Sequence, residues 1–175
     1  MLEIHGKRQC PYAWRVRLVA HEKNIPYEWL PLDVADPDPR VQQHNPEQKS
    51  PLVWQDGFQL TESLVIAQYL DEAHFEKTLQ ALSARERARM RLRLHELEAL
   101  QQHDTALLGY EVLEAGLAEG RQFLGGSGPD LSDVCAWPFL WNLAAKLPVP
   151  ERLPRARAYV SRIRERESVL ATQPR

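Results

Sequence analysis

Two cysteines, Cys10 and Cys135, carry whatever thiol chemistry this chain can do. Cys10 directly precedes Pro11, and the residues from Pro11 to about Asn24 have a helical pattern, so Cys10 stands at a helix start. There a sulfur lies near unpaired backbone N–H groups and the positive end of the helix dipole, both of which favour thiolate over thiol. The polar stretch His5 to Gln9 predicts that it is exposed, which makes Cys10 a candidate nucleophile. Cys135 lies in the apolar stretch Val134 to Trp137 and is expected to act as a small buried hydrophobe. In Cys10-Pro11-Tyr12-Ala13 the place of a resolving thiol is taken by Ala13, so an external thiol must resolve any disulfide formed at Cys10.

Other chemistries find little support. The six histidines are dispersed, and His95 and His103, though on similar helix faces, have no carboxylate or cysteine set beside them at ligand spacing, so no metal is expected. Gly125 to Pro129 is glycine-rich but lacks the lysine and hydroxyl of a phosphate loop, and reads as a helix-to-helix turn. A net charge of -2 provides no field to draw nucleic acid or an anionic membrane. The alternating Arg85, Arg87, Arg89, Arg91 and Arg93 are scattered around a helix and predict a solvated face. The longest apolar run, Val134 to Trp141, contains Pro138 and is too short to cross a bilayer. Charged residues arrive before any export segment, and two cysteines are sparse for a secreted domain, so a cytoplasmic protein is expected.

With 43% hydrophobic residues the chain can bury a core, and its patterning changes character part-way along. Leu2 to His5 predicts a first strand, Pro11 to Asn24 a helix, and Tyr27 to Asp33 a second strand. In that helix Val16, Val19 and Ala20 share one face, while Arg15, Arg17, Glu22 and Lys23 are expected to point outward. A proline-punctuated loop from Asp36 to Arg40 follows, with one helical turn after it. Asp56-Gly57 between Leu52–Gln55 and Phe58–Leu60 predicts a hairpin. Thr61-Glu62-Ser63 opens another helix, and polar residues 71–77 mark a boundary. Beyond it the pattern is helical: Ser83 to about His103, Ala106 to Phe123, Leu131 to Lys146, and Arg155 to Val169. The expected domains are residues 1–75 and 81–175.

The first domain resembles the glutathione transferase superfamily, with the fold class α+β: a thioredoxin-like βαβ-ββα unit followed by an all-helical domain. The likeness rests on Cys10-Pro11-Tyr12-Ala13, on Asn45-Pro46 through Ser50-Pro51, and on Glu62-Ser63. It continues in Phe123-Leu124-Gly125-Gly126 leading to Pro129-Asp130-Leu131-Ser132-Asp133, similar to the family's capping box and buried aspartate. The cysteine points to an omega-like or thiol transferase-like member.

The resemblance implies glutathione as co-substrate, bound beside Cys10, Pro11 and Tyr12. Glu62 would meet the γ-glutamyl ammonium and Ser63 its carboxylate. Ser50, before a cis Pro51, would pair its backbone with the tripeptide's cysteine, and Lys49 or Arg40 would meet the glycine carboxylate. Without a ligand, Thr61-Glu62-Ser63 is an ordinary helix cap. The family's glycine and valine are replaced here by Gln48 and Ser50, and the helical domain is short. Tyr110, Trp137 and Trp141 are either pocket lining or core. The implied function is a thiol transferase or reductase acting on a small disulfide or electrophile. A conjugating transferase and a non-catalytic binding scaffold are the alternatives. A homodimer is expected, with neither nucleic acid nor membrane as partner.

Overall fold

The computed structural model describes residues 1–32, 38–97, 100, 106–118 and 120–174. The described residues form two compact units, one of Met1–Lys77 with the chain end from Thr172, the other of Thr78–Ala171. The chain end, which patterning assigns to the helical part, groups with the first unit, where the Trp14 indole donates to the Thr172 hydroxyl at 2.8 Å.

The first unit runs β1 (Leu2–Gly6), α1 (Pro11–Glu22), β2 (Tyr27–Pro31), α2 (Pro39–His44), β3 (Leu52–Gln55), β4 (Phe58–Thr61), α3 (Ser63–Ala73) and a 3-10 turn, Phe75–Lys77. Residues 33–37, which hold the predicted end of the second strand and the start of the proline loop, lie outside the described residues. The sheet order is β2-β1-β3-β4, with β1 parallel to β2 and antiparallel to β3. Asp56 (φ 50°) and Gly57 (φ 84°) supply the two positive φ angles of the tight β3–β4 turn. The sheet is four strands wide and thioredoxin-like, as the α+β reading expects.

Strand alternation sorts β1 into two faces. Leu2 and Ile4 are buried, and α1 packs on α3 through a core that includes Val16, Leu18, Val19, Ile66, Ala67 and Leu70. Each such Val or Leu contributes about 1.5–3 kcal/mol by leaving water. Glu3 and His5 lie on the alternate face, where Arg40 of α2 reaches Glu3. Arg40 also stacks on Trp54 at 5.0 Å, and His44 meets the same ring edge-on.

The outward-facing expectation for α1 fails. Arg15, Glu22 and Lys23 are all at least nine-tenths buried, and Arg17 is half-buried over the Trp29 ring at 4.6 Å. Hydrogen bonding to distant residues makes this tolerable: Arg15 donates to the Ser63 hydroxyl at 2.9 Å, and Lys23 pairs with Asp71. Asp71, the first residue of the polar stretch read as a boundary, is 1% exposed for the same reason.

The named elements of the second unit are all helices: α4 (Ala84–Glu96), α5 (Ala106–Gly116), α6 (Leu131–Lys146), α7 (Pro154–Arg164) and α8 (Glu167–Thr172), the last crossing the unit boundary. The predicted continuation of α4 to His103 falls mostly on residues outside those described. α5 stops at Gly116 rather than Phe123, and Gly120 (φ 74°) turns the chain shortly after. The last predicted helix is two, because Glu165 and Arg166 donate to residues three back, at 3.3 Å each, and tighten the turn between them.

The capping box at α6 is present. Asp130 accepts from Ser132 and Asp133 N–H groups, and Asp133 accepts the Asp130 N–H at 2.9 Å. Asp133 is fully buried and also takes the Leu124 and Gly125 N–H groups and the Tyr159 hydroxyl at 2.6 Å. Tyr110 and Trp137 are completely buried, with Tyr110 donating to the Leu147 carbonyl and Trp137 to the Tyr159 hydroxyl. They are core. Arg93 departs from a purely solvated face, since it pairs with Asp130 and reaches the Ser132 hydroxyl. No described helix is long and apolar enough to cross a membrane.

Candidate functional site

Cys10 is the N-cap residue of α1, in extended conformation (φ −75°, ψ 117°), with Pro11 at the first helical position. Proline fixes the first turn and needs no hydrogen-bond partner there. The sulfur makes no capping bond to the backbone N–H groups that follow it. Instead the thiol donates to the Ser50 carbonyl at 3.6 Å. Cys10 is half-buried and Cys135 completely buried, and both are free thiols.

The segment facing Cys10 is built by Asn45. Its buried side chain donates to the Lys49 carbonyl at 2.8 Å and accepts the Lys49 N–H at 2.9 Å, folding residues 45–49 into a closed loop. Gln48 has φ 49°, a left-handed conformation that glycine adopts at no steric cost. The glutamine therefore occupies the backbone geometry that favours glycine. The Ser50–Pro51 peptide bond is cis. The Ser50 hydroxyl accepts the Lys7 N–H at 2.9 Å, and Pro51 is buried.

Of the two basic residues that could meet a carboxylate, Arg40 is committed to Glu3 at 2.9 Å and to the Trp54 face. Lys49 is exposed and pairs with Glu47 at 3.3 Å. Burial raises the Glu3 carboxyl, but hydrogen bonds from His5 and Arg40, with the charge of Arg40, outweigh it and hold the group below its ordinary value.

Glu62 is the N-cap residue of α3, with φ 67°. Its side chain is exposed and makes no capping bond, so the ordinary cap does not account for the carboxylate. A non-glycine residue in this region costs about 1–3 kcal/mol, which the surrounding structure must sustain. Ser63 is buried, and its hydroxyl, in accepting from Arg15, keeps its own proton to donate. Tyr12 is exposed on α1 with the Arg15 guanidinium 5.7 Å from its ring.

The structure thus brings Cys10 to Ser50, and ties Ser63 and Tyr12 to Arg15. Arg15, Lys7 and Asn45 had no assigned part in the sequence-based site. Arg15 sat on a face predicted to be solvated, and the Lys7 contribution is a backbone N–H that no side-chain pattern signals.

A polar cavity of about 300 Å³ lies within the second unit, lined by Gln80, Arg89, Arg93, Arg121 and Asp130 among others. It contains none of the predicted site residues. Among the described residues no group of three His, Cys, Asp or Glu is placed to hold a metal ion.

A thioredoxin-like sheet with a cysteine at its first helix is joined here, in one chain, to a helical unit. The model of the glutathione S-transferase N-terminal domain matches residues 4–78, and that of the C-terminal domain matches residues 71–162. The chain belongs to the glutathione S-transferase family.

It is 26% identical over 162 residues to mouse glutathione S-transferase omega-1, covering 82% of this chain and 68% of that protein. It is 30% identical over 158 residues to Drosophila melanogaster pyrimidodiazepine synthase, covering 82% of this chain and 65% of that one. Glutathione transferase Omega 3C from Trametes versicolor superposes with a TM-score of 0.83 at 21% identity, over 99% of this chain and 89% of that one. The chain therefore spans about two thirds of the length of the two curated relatives.

Proposed function

We propose that this protein is a glutathione-dependent thiol transferase that works through Cys10. The observation that carries the reading is the pairing of Cys10, half-buried at the N-cap of α1, with the Ser50 backbone just before cis Pro51. The Cys10 thiolate attacks the glutathionyl sulfur of a mixed disulfide. A Cys10–glutathione disulfide forms, and the other thiol leaves as a thiolate that takes up a proton. A second glutathione thiolate then attacks the glutathionyl sulfur, producing oxidised glutathione and regenerating the Cys10 thiolate. Ala13 in the fourth position of the motif supports this external resolution.

In the same reading Glu62 meets the γ-glutamyl ammonium and the Ser63 hydroxyl donates to the adjoining carboxylate. Lys49, free of the Glu3 cluster that holds Arg40, takes the glycine carboxylate. Pro11 and Tyr12 border the sulfur. The small disulfide or electrophile completes the substrate pair. Exposed Leu82, Leu92, Leu107 and Leu108 support pairing of two chains, and glutathione's own supply supports a cytoplasmic setting.

Incubation with oxidised glutathione followed by intact-mass measurement tests the reading. One glutathionyl group is expected on Cys10 and none on the Cys10→Ser variant, which should also lose glutathione-dependent reduction of a mixed disulfide. Adduct formation at Cys135, or reduction that survives Cys10→Ser, would refute it. Conjugation to an aryl halide that survives Cys10→Ser, without reduction by either protein, would instead favour a conjugating transferase.

A further inference from the structure

Ser50 holds both ends of the Lys7–Cys10 turn. Its hydroxyl oxygen accepts the Lys7 N–H at 2.9 Å, the Lys7 carbonyl accepts the Cys10 N–H at 3.0 Å, and the Cys10 thiol donates to the Ser50 carbonyl at 3.6 Å. The three bonds close a ring in which one residue's side chain fixes the start of the turn and its backbone receives the sulfur at the end. Valine, the residue that the family resemblance leads one to expect at position 50, has only methyl groups to offer the Lys7 N–H.

Gly6 keeps the approach open. A Cβ there would stand 2.6 Å from the Ala13 Cβ and 3.2 Å from the Ser50 Oγ, so a side chain would crowd both the helix and the hydroxyl. Lys7, Arg8 and Gln9 are exposed. A Lys7 N–H deprived of its partner would turn to water, at little cost to folding but with loss of the fixed turn.

We infer that the Ser50 hydroxyl is a positioning group: by holding the Lys7 N–H it sets the turn that places the Cys10 sulfur against the Ser50–Pro51 backbone. Its consequence for turnover rests on the thiol transferase reading, whereas its consequence for the turn does not.

Ser50→Val, Ser50→Ala and Ser50→Thr in the full chain test the inference. Amide hydrogen exchange at Lys7 should quicken roughly 2- to 12-fold in the valine and alanine variants, the range expected for one lost hydrogen bond. Threonine keeps the oxygen and should stay near the unmodified rate. With the melting temperature unchanged, alkylation of Cys10 by iodoacetamide should become several-fold faster in valine and alanine as the sulfur is released. Glutathione-dependent reduction of hydroxyethyl–glutathione disulfide should fall several-fold in kcat, with the KM for glutathione held. Threonine should restore both.

General loosening would lower the melting temperature and would not move the two rates in opposite directions with rescue by threonine. Exchange at Lys7 and alkylation of Cys10 that are the same in valine, alanine and unmodified proteins would overturn the inference, whatever the reductase activity. Absence of reduction by the unmodified protein would count against the thiol transferase reading alone, and exchange and alkylation would then decide the positioning role.

Discussion

Lys23 at the end of α1 and Asp71 on α3 meet as an ion pair at 2.7 Å, with side chains 0% and 1% exposed. The same ammonium donates to the Lys77 carbonyl at 2.6 Å, so the buried charge is satisfied from two sides. Removing one partner leaves the other charged and unsolvated, which costs about 3–5 kcal/mol, whereas replacing both by well-packed apolar groups can be neutral. Lys23→Met and Asp71→Leu should each lower the unfolding free energy of the first unit by that order. The double variant should recover much of the loss, as read by denaturant titration. Additive losses in the double variant would show that the two side chains are not energetically coupled.

Asp133 provides the pH-dependent counterpart in the second unit. Burial and the neighbouring Asp130 carboxylate push its pKa up to about 6, against the hydrogen bonds it accepts from Tyr159 and from backbone N–H groups. Between the unfolded value of about 4 and about 6, the folded protein holds a proton that the unfolded chain has released. This contribution to stability is complete below about pH 4 and is lost as the pH rises through 6. Unfolding free energies of the unmodified protein and Asp133→Asn, compared between pH 4 and 7, should differ in slope across that window. The Asp133→Asn variant should also be less stable at neutral pH by roughly 1–3 kcal/mol, because an amide cannot accept from all the donors. Parallel curves for the two proteins would show that Asp133 does not titrate there.

Glu62 separates ligand binding from backbone conformation. Under the proposed function, Glu62→Ala should weaken glutathione binding by about 1.5–3 kcal/mol, the value of a hydrogen bond to a charged group. Glu62→Gly should weaken it similarly, yet relieve the left-handed backbone at φ 67°. Calorimetric titration paired with thermal melts would distinguish the two effects. Unchanged affinity in both variants would leave Glu62 a helix-start residue and no more.

What the sequence disclosed was whatever local chemistry dictates. Asp56-Gly57 announced its hairpin and Pro11 its helix start, because in each case the determining residues are neighbours, whereas the capping box at Pro129 to Asp133 came from the family resemblance. Arg15 and Lys23 were misjudged because their partners, Ser63 and Asp71, each lie 48 residues away. A hydrophobic period counts any charge as outward and cannot see a distant acceptor. The positive φ of Gln48 and Glu62 was likewise invisible, since neither residue type advertises a left-handed backbone. At Cys10 the neighbourhood was legible and the sulfur's partner was not: the helix's first N–H groups lay next in sequence, but a carbonyl 40 residues on receives the thiol.

Asn45 does with one side chain what a neighbouring strand would do with a peptide unit, giving Lys49 both a donor and an acceptor. The stretch Pro46–Gln48 is thereby stapled at its ends, so its composition can change without shifting Ser50 wherever the left-handed backbone at Gln48 is kept. The staple itself has no such latitude. Aspartate has the shape but no donor, and glutamine reaches one bond too far, so the freedom of the loop hangs on a single amide that nothing else can replace.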